Sequence, residues 1–296
     1  MRARRPDKKV GAVKLRSLLF VPGDRSERFA KAAASGADAI IIDLEDSVSL
    51  ENKAKARDAA AEWLSGSRKG VPCFVRVNPE ASHMTQDDLN AILPYLPDAI
   101  LLPKAEGAKS VHWLCALAAA TADAPAGDAP PILPIATETP GGVFDLGSLR
   151  DVASHLVGVT WGAEDLPAAI GAMTSREADG QYTPPYELAR SLTLFAAHAA
   201  GVAAIDTVFP AIGDEAGLAA YVARASRDGF TGMMAIHPAQ VAIINAEFTP
   251  SKEQVAYAQA IVDAFAANPG AGVLQVEGKM LDAPHLKAAM AVLARG

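Results

Sequence analysis

The chain has 296 residues, 50% of them hydrophobic and 21% charged, with a formal net charge of −7. That composition supplies a large apolar core and speaks against an intrinsically disordered chain or a nucleic-acid-binding surface. No run approaches the ~18 consecutive apolar residues of a membrane span, so no membrane partner is expected.

Residues 1–14 (MRARRPDKKVGAVK) are basic and lead into no apolar stretch of their own. They read as a solvated N-terminal arm, not a signal peptide. The two cysteines, Cys73 and Cys115, lie too far apart for a disulfide framework or a zinc site, which suits a reducing cytoplasm. From residue 15 onward, short apolar runs alternate with Ala-rich stretches of helical spacing. The runs are Leu15–Val21, Ala39–Leu44, Cys73–Val77, Ala99–Leu102, Ile132–Thr137, Leu156–Trp161, Ala203–Val208 and Gly232–Ile236. They are continuously apolar, as strands buried on both faces should be. Helices are predicted over Arg25–Ala34, Lys53–Leu64, Leu89–Leu96, Ser110–Ala120, Tyr186–Ala200, Glu215–Arg227 and Gln254–Ala267. Eight strand–helix units predict an α/β fold, a (β/α)8 TIM barrel over residues 15–270. An open doubly wound sheet is the alternative, but it usually brings a Gly-rich dinucleotide loop, and no GxGxxG, Walker or GxSxG pattern occurs. Ala122–Pro131 reads as a surface loop. Residues 271–296, with a helix over Pro284–Leu293, form an extra C-terminal segment that covers the barrel or reaches a neighbouring subunit.

Polar residues gather where the strands end. They are Asp43, Glu45 and Asp46 after the second strand, Arg76 and Asn78 on the third and Lys104 after the fourth. Glu138 follows the fifth, Glu164 and Asp165 the sixth, Asp206 sits on the seventh and His237 follows the eighth. In a (β/α)8 barrel the C-terminal strand ends converge on one face, the active-site face. Several carboxylates in a partly dry pocket repel one another and must take up protons or bind a cation. Mg2+ fits, because it needs only one or two protein carboxylates and leaves positions for water and substrate oxygens. Glu138 and Asp165 are candidate ligands among these acids. Glu45 and Asp46 also read as helix caps or ion-pair partners. Arg76 reads either as a salt bridge to Asp43 or as a fork for a substrate carboxylate or enolate oxygen. The histidines show no HxxxH spacing, and His237 reads as structural.

Eight ordered blocks carry a resemblance. They are RSLLFVPG (Arg16–Gly23), DLEDSV (Asp43–Val48) with KAKAR (Lys53–Arg57), RVN (Arg76–Asn78), LPKAE (Leu102–Glu106), ETPGG (Glu138–Gly142), WGAEDL (Trp161–Leu166), IDTVFP (Ile205–Pro210) and IHPAQ (Ile236–Gln240). GKMLDAPHLKAA (Gly278–Ala289) follows. In these blocks the chain resembles the HpcH/HpaI aldolase and citrate lyase β-subunit family, in the malyl-CoA and citramalyl-CoA lyase branch. The resemblance implies a Mg2+ site at Glu138 and Asp165, with Mn2+ as a possible substitute. It implies that Arg76 binds the keto-acid oxygens and that the backbone around Gly162, Ala163, Glu164 and Asp165 holds the keto-acid carboxylate. Arg25 and Lys31 sit where that branch binds CoA phosphates. Asp43 and Glu45 join Arg76 as expected catalytic residues, and Asp282 resembles an acid delivered from a neighbouring subunit. Asp282 also reads as an N-cap before Ala283-Pro284. The expected activity is cleavage or formation of a 3-hydroxyacyl thioester such as malyl-CoA or citramalyl-CoA, giving acetyl-CoA and a 2-keto acid. The expected assembly is a homo-oligomer, a trimer or hexamer. The rivals are a class II aldolase on free hydroxy-keto acids, an acyl-CoA thioesterase, and a citrate lyase subunit acting on a carrier-bound thioester.

Overall fold

The apolar runs become strands because each is buried on both faces. In the computed structural model, which describes residues 14–66, 70–122 and 129–296, the second run forms β2 (Ala39–Asp43) with every residue buried. The others are β1 (Ser17–Pro22), β3 (Cys73–Arg76), β4 (Ala99–Leu102), β5 (Ile132–Pro134), β6 (Gly158–Val159), β7 (Ala203–Asp206) and β8 (Gly232–Ala235). All pair in parallel in the order β5-β4-β3-β2-β1-β8-β7-β6. Parallel bridges Ile132–Leu156 and Ile135–Thr160 join the two ends of that order, with the Val157 N–H donating to the Ile132 carbonyl at 3.0 Å. The sheet therefore closes on itself as the predicted (β/α)8 barrel.

Alternation along the strands decides what faces the barrel axis. Leu18, Ile41, Phe74, Leu101, Leu133, Ile135, Ile205 and Met234 fill the interior as one buried cluster. Two residues beyond Ile41 and Phe74 the same face presents Asp43 and Arg76, which are cross-strand partners in the β2–β3 register. The core thus passes into the site within one side-chain layer.

The outer helices are α1 (Phe29–Ala33), α2 (Lys53–Ser65), α3 (Thr85–Ile92), α4 (Gly107–Ala122), α5 (Pro140–Asp145), α6 (Asp165–Ile170), α7 (Pro184–Ala200), α8 (Glu215–Asp228) and α9 (Pro238–Phe248). None of the described helices is long and apolar enough to cross a membrane. The N-terminal arm, apart from Lys14, lies outside the described residues, as does 123–128 of the expected loop before β5.

The chain divides into two compact units, 1–245 and 246–296. The division falls ahead of residue 270 because α10 (Lys252–Ala267) packs with the C-terminal segment. Ala258 and Ile261 of α10 form one apolar cluster with Leu281 and Ala289. The second unit also holds a hairpin, β9 (Val273–Val276) against β10 (Lys279–Asp282), and a last helix, α11 (Ala283–Leu293). Glu277 and Gly278 turn the hairpin with φ of 50° and 79°, the two left-handed residues that a two-residue primed turn demands.

Candidate active site

The strand ends of the first unit open onto a cavity of about 300 Å3. Its lining joins Phe20, Pro22, Asp43, Asp46, Ser47 and Arg76 on one side to Ile135, Glu138 and Gly162–Asp165 on the other, with Thr207, Val208, Met234 and Ile236 between them.

Arg76 is held as a fork. Its Nε donates to Asp43 Oδ1 at 2.6 Å and its Nη2 to Asp43 Oδ2 at 2.7 Å. Asp43 also accepts from the backbone N–H of Glu45 at 2.9 Å and of Ser47 at 3.0 Å. Burial would raise the Asp43 carboxyl, but Arg76 and these N–H donors outweigh it and hold Asp43 below the usual carboxylate range. Nη1 of Arg76 lies 3.0 Å from Glu45 Oε2 and 3.7 Å from Asp46 Oδ2, and the guanidinium stacks 5.0 Å over the Phe20 ring. The Glu45 contact is electrostatic, since Oε2 accepts no aligned hydrogen bond. The salt bridge to Asp43 is present, and Arg76 also lines the cavity.

Glu45 sits behind this pair and does not line the cavity. Its Oε1 accepts from Lys104 Nζ at 2.7 Å. Burial pushes Glu45 up to about 7 against the pull of Arg76 and Lys104. Its backbone is fixed by Lys53, whose buried ammonium donates to the Leu44 carbonyl at 2.7 Å, the Glu45 carbonyl at 2.8 Å and Asn78 Oδ1 at 2.7 Å. Asn78 is in turn held by Asp88, which accepts its backbone N–H at 2.7 Å. Lys53 and Asp88 are positioning residues for which the sequence reading named no role.

Glu138 follows β5 and is buried. Thr139 caps α5 by accepting the Gly142 N–H at 3.0 Å, and Pro140 begins the helix, so the chain leaves the barrel immediately after the carboxylate. Gly142 is required there: a Cβ would lie 2.6 Å from the Ala136 carbonyl and 2.8 Å from that of Ala105. Glu138 Oε2 accepts the Lys104 N–H at 2.5 Å. Lys104 reaches that position with φ of 51°, a left-handed geometry that costs a non-glycine residue about 1–2 kcal/mol. Its ammonium, 2.7 Å from Glu45, lies 3.5 Å from Asp165 Oδ1. Burial pushes Glu138 up to about 8; the Lys104 N–H acts against this, while Glu45 and Asp165 add repulsion. A Cβ on Gly162 would collide with Glu138 Cγ, so the WGAEDL turn can pass beside the carboxylate only as glycine.

These features fit a hard divalent ion. Glu138 is buried, crowded by other acids and held near neutral pH in its protonated range. Asp165 lines the same cavity at the first residue of α6 and is half-buried. No group of three or more His, Cys, Asp or Glu side chains converges among the described residues, which suits two carboxylates and water better than a zinc set.

The remaining expected residues fall elsewhere. Asp206 does not face the cavity. It accepts from Trp161 Nε1 at 2.6 Å, Arg190 Nε at 3.0 Å, Arg190 Nη2 at 2.9 Å, Tyr221 Oη at 3.0 Å and the Thr207 N–H at 2.9 Å. His237 is exposed and accepts the Ala239 N–H at 3.2 Å through Nδ1, a helix-start contact. Arg25 and Lys31 are exposed and do not line the cavity, and Arg25 Nε lies 3.9 Å from Asp24. Asp282 belongs to the second unit, caps α11 and meets His285 Nδ1 at 2.5 Å.

The chain is similar to known proteins over most of its length. A citrate lyase subunit beta-like protein of Mycobacterium tuberculosis is 36% identical over 277 residues, 94% of each chain. The mitochondrial citramalyl-CoA lyase of Rattus norvegicus is 30% identical over 94% of this chain and 85% of its own. The crystal structure of the CitE protein of Mycobacterium tuberculosis in complex with magnesium, acetoacetate and coenzyme A superposes with a TM-score of 0.78 and 34% identity, covering 95% of this chain and 97% of that one. Residues 16–238, which hold every cavity-lining side chain above, match the family model, and the chain belongs to the HpcH/HpaI aldolase/citrate lyase family.

Proposed function

We propose that the chain is a Mg2+-dependent carbon–carbon lyase that cleaves a 3-hydroxyacyl thioester, such as malyl-CoA or citramalyl-CoA, into acetyl-CoA and a 2-keto acid, or runs the reverse condensation. The observation that supports it most is that the Asp43-held Arg76 shares one cavity with Glu138 and Asp165. The relatives point the same way: one is named a citramalyl-CoA lyase, and another was crystallised with magnesium, acetoacetate and coenzyme A.

Glu138 and Asp165 are the residues that would hold Mg2+, or Mn2+ in its place. Bound there, the ion supplies Lewis acidity to the substrate's hydroxyl and carboxylate oxygens. Cleavage removes the 3-hydroxyl proton, breaks the C2–C3 bond, and leaves the electron pair on C2 of the thioester, which then takes a proton to become acetyl-CoA. Arg76 offsets negative charge on the reacting oxygens, and its rigid mounting is what such stabilisation requires, because no reorganisation is left to the moment of reaction. Asp43 and Glu45 act through Arg76 by fixing its fork and its charge environment. The backbone of Gly162–Asp165 holds the keto-acid carboxylate, and Arg25 and Lys31 meet the CoA phosphates. Asp282 supplied by a second copy protonates C2, which calls for a homo-oligomer, a trimer or hexamer. We place the reaction in the cytoplasm, whose reducing conditions suit the two buried cysteine thiols.

The test is a Mg2+-dependent screen of malyl-CoA, β-methylmalyl-CoA and citramalyl-CoA that follows release of free keto acid, with size-exclusion of the chain alone. Release of keto acid together with the shorter acyl-CoA, acetyl-CoA or, from β-methylmalyl-CoA, propionyl-CoA, supports the lyase. Release of free CoA in place of keto acid would show a thioesterase. Turnover only of free hydroxy-keto acids would show an aldolase, a reading the cavity disfavours because no histidine is among the described residues that line it. Inactivity on all CoA esters, with activity on a carrier-bound thioester, would show a complex subunit.

A further inference from the structure

Lys104 touches three carboxylates of the site. Its backbone N–H donates to Glu138 Oε2 at 2.5 Å, and its ammonium lies 2.7 Å from Glu45 Oε1 and 3.5 Å from Asp165 Oδ1. The two candidate ligands, which follow β5 and β6, are thus tied to one residue at the end of β4. Backbone and side chain do separate jobs. The backbone is fixed without the side chain: the Ala105 N–H donates to the Ile135 carbonyl at 3.1 Å, Thr139 Oγ1 donates to Glu106 Oε1 at 2.9 Å, and Gly142 packs against the Ala105 carbonyl. The N–H bond to Glu138 therefore survives replacement of the Lys104 side chain. The ammonium is anchored by the short bond to Glu45 and only leans towards Asp165. Among the described residues it is the one cation within ion-pair distance of Asp165. So placed, it relieves the repulsion between Glu45, Glu138 and Asp165, and it also sets a positive charge beside the two carboxylates that would hold a divalent ion.

We propose that the Lys104 ammonium is a built-in counter-charge of the cation site, a positioning residue that keeps Asp165 beside Glu138 in the ion-free protein and weakens the site's hold on a divalent ion. The inference rests on the metal site of the lyase reading and deepens it, because it names the residue that sets how tightly that site binds. Two effects of opposite sign follow from removing the ammonium. Asp165 loses a partner that orients it, which is worth a few-fold at most, because the contact is long and both side chains are half-buried. A like charge next to the ion's ligands also goes, and at the effective dielectric of a protein site that is worth at least about tenfold. The second effect wins, so a neutral side chain here strengthens ion binding, the reverse of what loss of a mere support would do.

The test is calorimetric titration of Mg2+ into the full chain at pH 9, where protons compete least with the ion, for the parent and for Lys104→Met, Lys104→Gln and Lys104→Arg. All three replacements are unbranched at Cβ, so the strain at φ of 51° stays the same. Lys104→Met and Lys104→Gln should bind Mg2+ at least about tenfold more tightly than the parent, and Lys104→Arg within about threefold of it. Neutral variants that bind as the parent does, or more weakly, overturn the proposal and make Lys104 a support for Asp165. An arginine variant that binds as tightly as the neutral ones overturns it too, since charge would then not be the cause. Thermal denaturation in EDTA and in Mg2+ gives a second readout, in which Mg2+ should raise the Tm of the neutral variants by more than it raises the parent's. Neutral variants that fold only with Mg2+ support the proposal, because the ion then replaces the ammonium; neutral variants unfolded in both conditions overturn it. Absence of Mg2+ binding to the parent sinks the metal reading and this inference together. The expected order of affinities without cleavage of any CoA thioester sinks the lyase reading alone.

Discussion

Two strand-end aspartates in this barrel hold an arginine in the same way and end in opposite roles. Asp43 on β2 forks Arg76, and Asp206 on β7 binds Arg190 through Nε and Nη2. The difference lies in what completes each pair. Around Asp206 every direction is closed: Trp161, Tyr221 and the Thr207 N–H fill the carboxylate, Asp228 takes Arg190 Nη1 at 2.9 Å, and Phe230 lies 4.6 Å under the guanidinium. Around Arg76 two further acids stand near, at 3.0 and 3.7 Å, and the cavity opens on one side. A saturated ion pair anchors helices, whereas a pair beside a cavity keeps one side open. Asp206 still serves the site at one remove, because the Trp161 it holds is followed directly by the Gly162 turn against Glu138.

Substitutions sharpen that contrast. The largest effect belongs to the acids beyond the Arg76 side. Glu138→Gln should lower Mg2+-dependent kcat by about 10³-fold or more, since a neutral amide is a poor ligand for a hard ion and the charge it would stabilise stays uncompensated. Steady-state kinetics over a Mg2+ series checks this, and near-normal turnover would remove Glu138 from the metal site. Next comes Arg76→Lys, which keeps the charge and loses the fork. A fall in kcat of about 10²-fold is expected, with thermal stability little changed. Retained kcat with only a raised KM would make Arg76 a ground-state binder.

The fold was legible because parallel strands buried on both faces read as unbroken apolar runs, and all eight fall where the sequence places them. The carboxylates were legible one by one as strand-end residues. What local pattern did not show was which acids are already satisfied. Asp206 looks like Asp43 in sequence, and its partners Arg190 and Tyr221 lie on two separate helices. Lys104 was visible at the end of β4, but its part depends on a left-handed backbone and on Glu45, 59 positions away. The short helix after Glu138 was hidden by Pro-Gly-Gly, which reads as a turn. Thr139 followed by Pro140 was the available signal for a cap and first turn. The hairpin at 273–282 was missed because Glu-Gly is an uncommon turn pair and its strands are only 4 residues each.

Asp206→Asn tests the other side of the comparison. It leaves Arg190 buried without a full counter-charge and should destabilise the protein by about 3 kcal/mol. Chemical denaturation reads that loss, and kcat per folded molecule should stay within about threefold of the parent. A larger kcat loss at unchanged stability would mean that Asp206 acts in the chemistry.

The pH dependence has a definite sign. Glu138 is pushed up to about 8, so the metal-free fold binds a proton there that the unfolded chain, with an ordinary Glu, releases near 4.5. The stability this group contributes is therefore full below about 4.5 and is lost as pH rises towards 8. Mg2+ competes with that proton, so its affinity should weaken by up to about tenfold per pH unit below 8. Calorimetric titration at pH 6.5, 7.5 and 8.5 checks the slope, and an affinity independent of pH would show that Glu138 is already ionised.

The smallest expected effect is at His237. A metal-dependent aldolase acting on free keto acids calls for a base at the barrel mouth, and this is the histidine that follows a barrel strand. Its ring, however, is exposed, accepts the Ala239 N–H and contributes no atom to the cavity lining. His237→Ala therefore removes a helix-start contact and nothing that touches substrate, and kcat/KM should change by less than about twofold, with a stability loss below about 1 kcal/mol. A 10²-fold loss in kcat with an acidic limb removed from the pH–rate profile would instead give this side chain the proton. It would also shift the chemistry from a thioester enolate to a histidine-based aldol cleavage.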